Sequence, residues 1–307
     1  MNLCIDLIII VACLAGLWIG AIWLVESSVS IAKKIGISEL VIGLTIISIG
    51  TSAPEFAVTI FSALKGQANI SVGNIVGSNI FNLGFILGGV ALVRPVVTSN
   101  TIVKRDGSLL IFTTFLLLFI FMDLHLSFWE GVLLMSLLVC YIMCLFYYRE
   151  TISEKVTVST FNWHQPLKLI TGLAFILLSS HFLVDSASSF ARTFGISEWV
   201  IGVTIVAMGT STPELVTSLV GVLRGHHGLS AGNLIGSDLF NLMGVLGVAG
   251  ALQSLTVSTE AYSSLFLLCG MVVVVVIMMR TNWQISRVEG GILVCIGMVR
   301  WIMDFTR

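Results

Sequence analysis

Gly50-Thr51-Ser52-Ala53-Pro54-Glu55 and Gly209-Thr210-Ser211-Thr212-Pro213-Glu214 are one phrase written twice, 159 residues apart. The match around it holds without a gap from Gly36-Ile37-Ser38-Glu39 against Gly195-Ile196-Ser197-Glu198 to Leu87-Gly88 against Leu246-Gly247, with 26 of 53 positions identical. Beyond these limits the similarity fades, although Glu26 and Asp185 still share the offset. Self-similarity at a fixed spacing marks a duplicated structural unit.

The units lie in lipid. Hydrophobic residues make up 57% of the 307-residue chain and charged residues 10%, with a mean hydropathy of +1.05. A soluble domain of this size could not hide that much apolar surface in one core. Stretches of about 17 to 25 apolar residues each suffice to cross the bilayer as a helix. Ten are read, near 3–27, 38–64, 70–93, 107–122, 127–148, 166–187, 197–223, 229–252, 260–279 and 285–303. The first lacks a basic leader and a small-residue cleavage site before Glu26, so it is expected to remain as a membrane helix rather than be removed as a signal peptide.

An offset of 159 residues spans five of these crossings, an odd number, so the second copy enters the bilayer from the opposite side. The expected fold is an all-α integral membrane protein of ten transmembrane helices in two inverted five-helix repeats, over 1–148 and 166–307, joined by a linker at 149–165. Inverted repeats are the architecture of alternating-access transporters, whose sites sit near the midplane on interrupted helices. A channel or an enzyme could share the symmetry, since fold alone does not fix function.

With the N-terminus outside, 11 of the 15 basic residues face the cytoplasm and Lys65, Arg192, Arg300 and Arg307 do not. The excess of cytoplasmic Lys and Arg predicts both termini extracytoplasmic and the linker cytoplasmic.

A glutamate in mid-membrane costs at least about 2 kcal/mol, so it is normally retained for a partner or a pathway. Two at matching positions of antiparallel repeats meet at the pseudo-twofold axis. Each proline lacks an N–H and clashes with the preceding turn, which leaves the carbonyl of Gly50 or Gly209 without its helical donor. Thr51 and Ser52 precede Glu55 by four and three residues, so both hydroxyls share the carboxylate's side of the helix, and Thr210 and Ser211 repeat the arrangement around Glu214. This all-oxygen set suits hard cations such as Ca²⁺ and Na⁺.

The next helix of each unit reads Gly73-Asn74-Ile75-Val76-Gly77-Ser78-Asn79-Ile80-Phe81-Asn82 and Gly232-Asn233-Leu234-Ile235-Gly236-Ser237-Asp238-Leu239-Phe240-Asn241. Glycines four apart allow close helix approach. Ser78 with Asn82, and Ser237 with Asn241, form a polar stripe toward a shared site, while Asn74 and Asn233 are expected to brace the broken backbone. All six cysteines fall within apolar spans with no metal-ligand spacing. His226 and His227 read as solvated loop residues rather than a metal site. Glu26 and Asp185 read as snorkelling or capping residues, with a gating role conceivable.

The paired GTS-x-PE and GN-x-x-GS-x-x-x-N blocks resemble the two α-repeats of the cation/calcium antiporter superfamily, sodium/calcium exchanger branch. The blocks cover about a third of the chain, and the layout with a short central loop resembles prokaryotic members, which implies a prokaryotic inner (plasma) membrane. The resemblance implies that Glu55 and Glu214 hold Ca²⁺ with Thr51 and Thr210. It further implies that Ser52, Ser78, Ser211, Ser237 and the carbonyls of Ser48 and Ala207 add sodium sites, and that Asn82 and Asn241 line the centre. Two departures stand out. Asn241 occupies a position where potassium-dependent members carry aspartate, which argues against potassium dependence. Asp238 stands where the first repeat has Asn79, about 60° around the helix from Asn241, either as a protonatable neighbour or as a hydrogen-bond partner to backbone.

The function expected is exchange of Ca²⁺ for Na⁺ at overlapping sites, with a Ca²⁺/H⁺ antiporter as the nearest alternative and a passive cation channel behind it. No enzyme motif is present: there is no HExxH, and no nucleophile motif surrounds Ser180-His181. No cofactor, nucleic-acid partner or required protein partner is expected; the partners are the bilayer and the transported ions.

Overall fold

The computed structural model describes residues 3–147, 164–195, 205 and 207–305. Its helices are α1 (Leu3–Ile35), α2 (Glu39–Thr51), α3 (Ala53–Leu64), α4 (Ala68–Val93), α5 (Ile102–Asp123), α6 (Phe128–Tyr147), α7 (Gln165–Thr193), α8 (Ala207–Thr210), α9 (Thr212–Leu223), α10 (His227–Leu252), α11 (Thr259–Arg280) and α12 (Arg287–Phe305). The first half of the predicted span 197–223 lies largely outside the described residues. So does the linker, apart from its last two positions.

Helix ends follow the duplication. Gly36, Gly66, Gly195 and Gly225 adopt φ of 72°, 73°, 74° and 87°, the left-handed conformation that glycine supplies just past a helix C-terminus. They are two equivalent pairs at the 159-residue offset. Lys33 and Lys34 in the last turn of α1 complement the helix dipole, and α1 accordingly runs to Ile35, well past the apolar stretch that predicted it.

Helices α1 and α7 pack antiparallel. A Cβ on Gly20 would meet the carbonyl of Gly172, one on Gly16 would meet Ser179, Lys168 pairs with Glu26, and Ser189 donates to Asp6. Glycine at both Gly20 and Gly172 is what lets the two backbones approach so closely.

Two small sheets depart from an all-helical chain. Strand β1 (Val96–Val97) pairs antiparallel with β4 (Gln284–Ile285), and β2 (His125–Leu126) with β3 (Leu255–Thr256). At the 159-residue offset β1 corresponds to β3 and β2 to β4, so each repeat lends one strand to the other in the same register. Reciprocal exchange of this kind is what a twofold relation between the halves produces. The strands lie in connections after apolar helices, where a two-residue pairing leaves no periodic signal.

Seven of the described helices are long and apolar enough to cross a membrane, and α2 with α3, bent by 50°, makes an eighth span. Of the other predicted crossings, α9 has 12 residues, and α12 has 19 but carries Arg287, Glu289 and Arg300. The protein is thus a multi-pass integral membrane protein. Helices α4 and α10 are the most buried, and α6 and α7 the least. Along α10 every residue from Leu229 to Leu239 is buried, Asn233, Ser237 and Asp238 included.

Candidate functional site

Pro54 and Pro213 do more than kink a helix. Each sits in the first turn of a new helix, α3 or α9, where its missing N–H costs nothing because first-turn donors have no intrahelical partner. The restart puts Glu55 and Glu214 in the first turns of α3 and α9, at the positive ends of the helix dipoles, a placement that favours a carboxylate by about 0.3–2 kcal/mol.

The halves then brace each other's carboxylates. Ser52 Oγ donates to Glu214 Oε1 at 3.0 Å, and its equivalent Ser211 Oγ donates to Glu55 Oε1 at 2.9 Å. Thr51 also hydrogen bonds Glu214 and Thr210 hydrogen bonds Glu55, while Ser237 reaches Glu214 Oε1 at 3.4 Å. Asn74 Nδ2 donates to the carbonyl of Glu55 at 3.3 Å and to Thr59 Oγ1 at 2.9 Å. Asn233 Nδ2 repeats this with the carbonyl of Glu214 at 3.4 Å and Ser218 Oγ at 3.0 Å. These two amides do brace the break.

Both glutamates are fully buried. The second oxygen of each, Glu55 Oε2 and Glu214 Oε2, has no donor. Among the described residues no lysine, arginine or histidine forms an ion pair with either. A buried carboxylate oxygen left without a donor costs about 1–3 kcal/mol or more, which a cation between the two would offset.

Deeper in α4 and α10, both helices widen into π-turns, Asn82–Ile86 and Phe240–Val245, local expansions common at functional positions. Asn82 Nδ2 donates to Asp238 Oδ1 at 3.0 Å, Asn241 Nδ2 to Asn79 Oδ1 at 3.1 Å, and Asn79 Nδ2 to the Asp238 carbonyl at 3.2 Å. The Asp238 side chain therefore pairs with an amide across the interface, not with backbone.

Some expected ligands are otherwise engaged. Ser78 Oγ donates to the carbonyl of Ile75 in its own helix. The Ser48 carbonyl accepts from Ser52 N at 3.0 Å and Thr51 Oγ1 at 3.3 Å. The Gly209 carbonyl, which the proline deprives of its helical donor, accepts instead from Ser180 Oγ of α7 at 2.7 Å. Position 21, equivalent to Ser180, is alanine and cannot do the same for Gly50. Ala207 opens α8.

Glu26 and Asp185 differ in surroundings despite their shared offset. Glu26 joins three elements, accepting from Lys168 Nζ of α7 at 2.6 Å and from Arg224 beyond α9. Asp185 pairs one turn back, with His181 at 3.5 Å, and lines a cavity of about 640 Å³ that runs to Pro54, Gly209 and Thr210. His226 is not simply solvated, since Nδ1 lies 3.0 Å from Glu39. Val97 N donates to His227 Nδ1 at 3.5 Å. The ion pairs of Glu26 and His226 join residues far apart in sequence and leave no local motif.

A model of the sodium/calcium exchanger protein family matches residues 5–147 and again 164–296, two blocks whose starts are 159 residues apart. The chain belongs to the sodium/calcium exchanger family. Family members are membrane transporters rather than enzymes. Among relatives, the chain is 35% identical to CaxA of Alkalimonas amylolytica over 86% of this chain and 87% of that one. It is 31% identical to the sodium/calcium exchanger MaX1 of Methanosarcina acetivorans over 89% and 91% respectively. A solved structure of the sodium-calcium exchanger NCX_Mj superposes with a TM-score of 0.86 at 28% identity, covering 97% of this chain and 98% of that one.

Proposed function

We propose that this exchanger-family protein moves Ca²⁺ against Na⁺ across the inner membrane by alternating access. It does so with ten crossings arranged as inverted repeats over 1–148 and 166–307, and with both termini extracytoplasmic. The observation that carries the reading is the reciprocal bracing of Glu55 and Glu214, which leaves one acceptor oxygen of each buried and without a donor. Two carboxylates of about −2 total charge are neutralised by one Ca²⁺ or by several Na⁺ bound to overlapping oxygens, with Thr51, Ser52, Thr210, Ser211 and Ser237 as the neutral ligands. Substrates that share ligands compete, and competition makes the exchange obligatory. A neutralised site crosses the apolar barrier as the repeats rock, whereas bare carboxylates resist dehydration.

The separation of Glu26 from Asp6 along α1 supports the sidedness of the cycle. Residues 6 and 26 of α1 are 20 residues apart, about 30 Å along a helix, so the Glu26 cluster and the Ser189–Asp6 contact mark opposite ends of the α1–α7 pair. In this conformation the ion pairs tie one end while the cavity beside Asp185 opens at the other. Glu26→Gln is expected to ease opening at the tied end by about 0.2–1 kcal/mol per half-exposed ion pair. With two pairs lost, the ratio of Ca²⁺ half-saturation constants on the two faces should shift by about two- to thirtyfold. Flux measured from each face of oriented vesicles reads this ratio, and an unchanged ratio would show that Glu26 does not gate.

The function is tested with purified protein in liposomes, by following labelled Ca²⁺ uptake under outward sodium, proton and potassium gradients applied singly. Uptake is expected to follow sodium. Uptake that follows protons and ignores sodium would make this a Ca²⁺/H⁺ antiporter, and uncoupled flux would make it a channel.

A further inference from the structure

The cavity of about 640 Å³ beside Asp185 holds two side chains that the glutamate site does not use. His181 and Asp185 stand four residues apart on α7, so both project from one face of the helix. His181 Nε2 lies 3.5 Å from Asp185 Oδ2, and the two side chains are 68% and 61% exposed. An ionisable side chain within a membrane span faces the bundle interior or a water-filled cavity, and both of these line the cavity. Ions in water therefore reach them.

The spacing of the two atoms decides which ligand fits. It exceeds the about 2.7–3.2 Å of an ordinary N–H···O hydrogen bond. A tetrahedral ion about 2.0–2.1 Å from an imidazole nitrogen and about 2.0–2.2 Å from a carboxylate oxygen holds those atoms about 3.4 Å apart. The pair is set at that separation within one helix, so an ion enters without repacking. His226 gives the contrast, since its Nδ1 lies 3.0 Å from both oxygens of Glu39, a direct contact with no room for an ion between. Imidazole suits Zn²⁺ and Ni²⁺, whereas Ca²⁺ favours the all-oxygen surroundings of Glu55 and Glu214.

Among the described residues no third histidine, cysteine or acid completes a cluster, so water takes the remaining positions, as in open zinc sites. Arg192 also lines the cavity, but it is seven residues beyond Asp185, about 10 Å along the helix. The repeat does not duplicate the pair. Ile22 stands at the position equivalent to His181, and Glu26, equivalent to Asp185, is taken by Lys168 and Arg224. The pair also lies on the approach to the glutamates. Ser180, next to His181, donates to the Gly209 carbonyl at 2.7 Å, and Thr210 of the same cavity hydrogen bonds Glu55.

We infer that His181 and Asp185 chelate one divalent transition-metal ion of the Zn²⁺ class, and that this ion obstructs the cavity and inhibits Ca²⁺ transport from that face. The second clause rests on the transport reading above; the first does not.

The probe is Zn²⁺, titrated on each face of oriented vesicles against labelled Ca²⁺ uptake by the natural protein, His181→Ala and Asp185→His, each normalised to its own uptake without Zn²⁺. Loss of the imidazole is expected to raise the half-inhibitory Zn²⁺ concentration about tenfold or more, since disturbing even an outer partner of a metal ligand costs that much affinity. Asp185→His sets two imidazoles four residues apart on one helix face, a zinc-binding arrangement, and is expected to lower it. Both effects are expected from the face on which the cavity opens. Equilibrium binding of labelled Zn²⁺ to the purified proteins gives a readout independent of transport, with one Zn²⁺ fewer expected per His181→Ala molecule. Equal inhibition and equal binding in the three proteins overturn the inference. So does inhibition that added Ca²⁺ relieves alike in the natural protein and His181→Ala, which would place Zn²⁺ on the glutamates. Binding that is lost in His181→Ala, with no inhibition of the natural protein, leaves the metal site standing and overturns the obstruction. Ca²⁺ uptake that ignores a sodium gradient defeats the exchange reading alone, because Zn²⁺ binding is read without exchange.

Discussion

Glu55→Gln or Glu214→Gln is expected to abolish coupled Ca²⁺ transport while leaving the protein inserted and at least as stable as before. Glutamine keeps the size of the side chain and can still accept from Ser211 or Ser52, so the bracing survives. It removes one of the two full charges facing a divalent ion in a site with no water-exposed counter-charge. Breaking one partner of a buried, hydrogen-bonded charge pair costs about 3–5 kcal/mol, which corresponds to a loss of roughly 100-fold or more in Ca²⁺ affinity. The empty site behaves in the opposite way. Two buried carboxylates with undonated oxygens destabilise the ion-free protein, so neutralising one should leave thermal unfolding in Ca²⁺-free detergent unchanged or raised. Labelled Ca²⁺ uptake and a melting curve on the same sample check both halves. Full uptake by either variant would place the site elsewhere, and loss of uptake accompanied by loss of stability would point to misfolding rather than to a missing ligand.

Gly232→Val should be nearly as damaging, for a different reason. A Cβ at Gly232 would stand 2.6 Å from the Leu40 carbonyl oxygen, and one at the facing Gly43 would stand 2.6 Å from that of Leu229. Both obstacles are backbone, so neither can rotate away. Valine there must push α2 from α10, at or above the about 1–3 kcal/mol usual for overpacking. The displacement reaches the site, because Thr51 on α2 hydrogen bonds Asn233 of α10 at 3.2 Å and lies 3.4 Å from Ser237. The expected result is a large fall in folded yield and no measurable uptake. Gly228→Ala, one turn earlier, is the control. Its Cβ would meet Leu40 at 3.5 Å, an ordinary contact, and alanine favours the helix by about 1 kcal/mol. Equal damage from both substitutions would mean that the close approach of α2 and α10 is not what glycine provides.

What the sequence disclosed was whatever carries a local penalty. Glutamate after proline in an apolar span is expensive, and its occurrence twice at one offset marks both the duplication and the centre of the candidate site in the sequence alone. The bracing amides Asn74 and Asn233 were legible for the same reason, as polar side chains with nowhere else to go in lipid. The consequence of the proline was less visible. Spacing alone suggests a kinked helix, while the structure shows a restart that sets each glutamate at a helix N-terminus.

Features without a local penalty stayed hidden. Glu26 meets Lys168 and Arg224 across 142 and 198 residues of chain, and Asn82 meets Asp238 across 156. Neither pairing has a periodicity to betray it. The π-turns at Asn82 and Phe240 arise where helices must accommodate one another, so no residue type announces them. Ser180 supplying the donor that Gly209 lacks, with Ala21 unable to do so for Gly50, is an asymmetry that only contact between α7 and the broken helix exposes.

Coupling of Ca²⁺ to Na⁺ at a cation site shared by two inverted halves is tested by labelled Ca²⁺ uptake into proteoliposomes under an outward sodium gradient at matched pH. Concentrative uptake is expected that collapses when the sodium gradient is dissipated and is missing from Glu55→Gln and Glu214→Gln. Uptake that persists without a sodium gradient and follows an imposed proton gradient instead would contradict it.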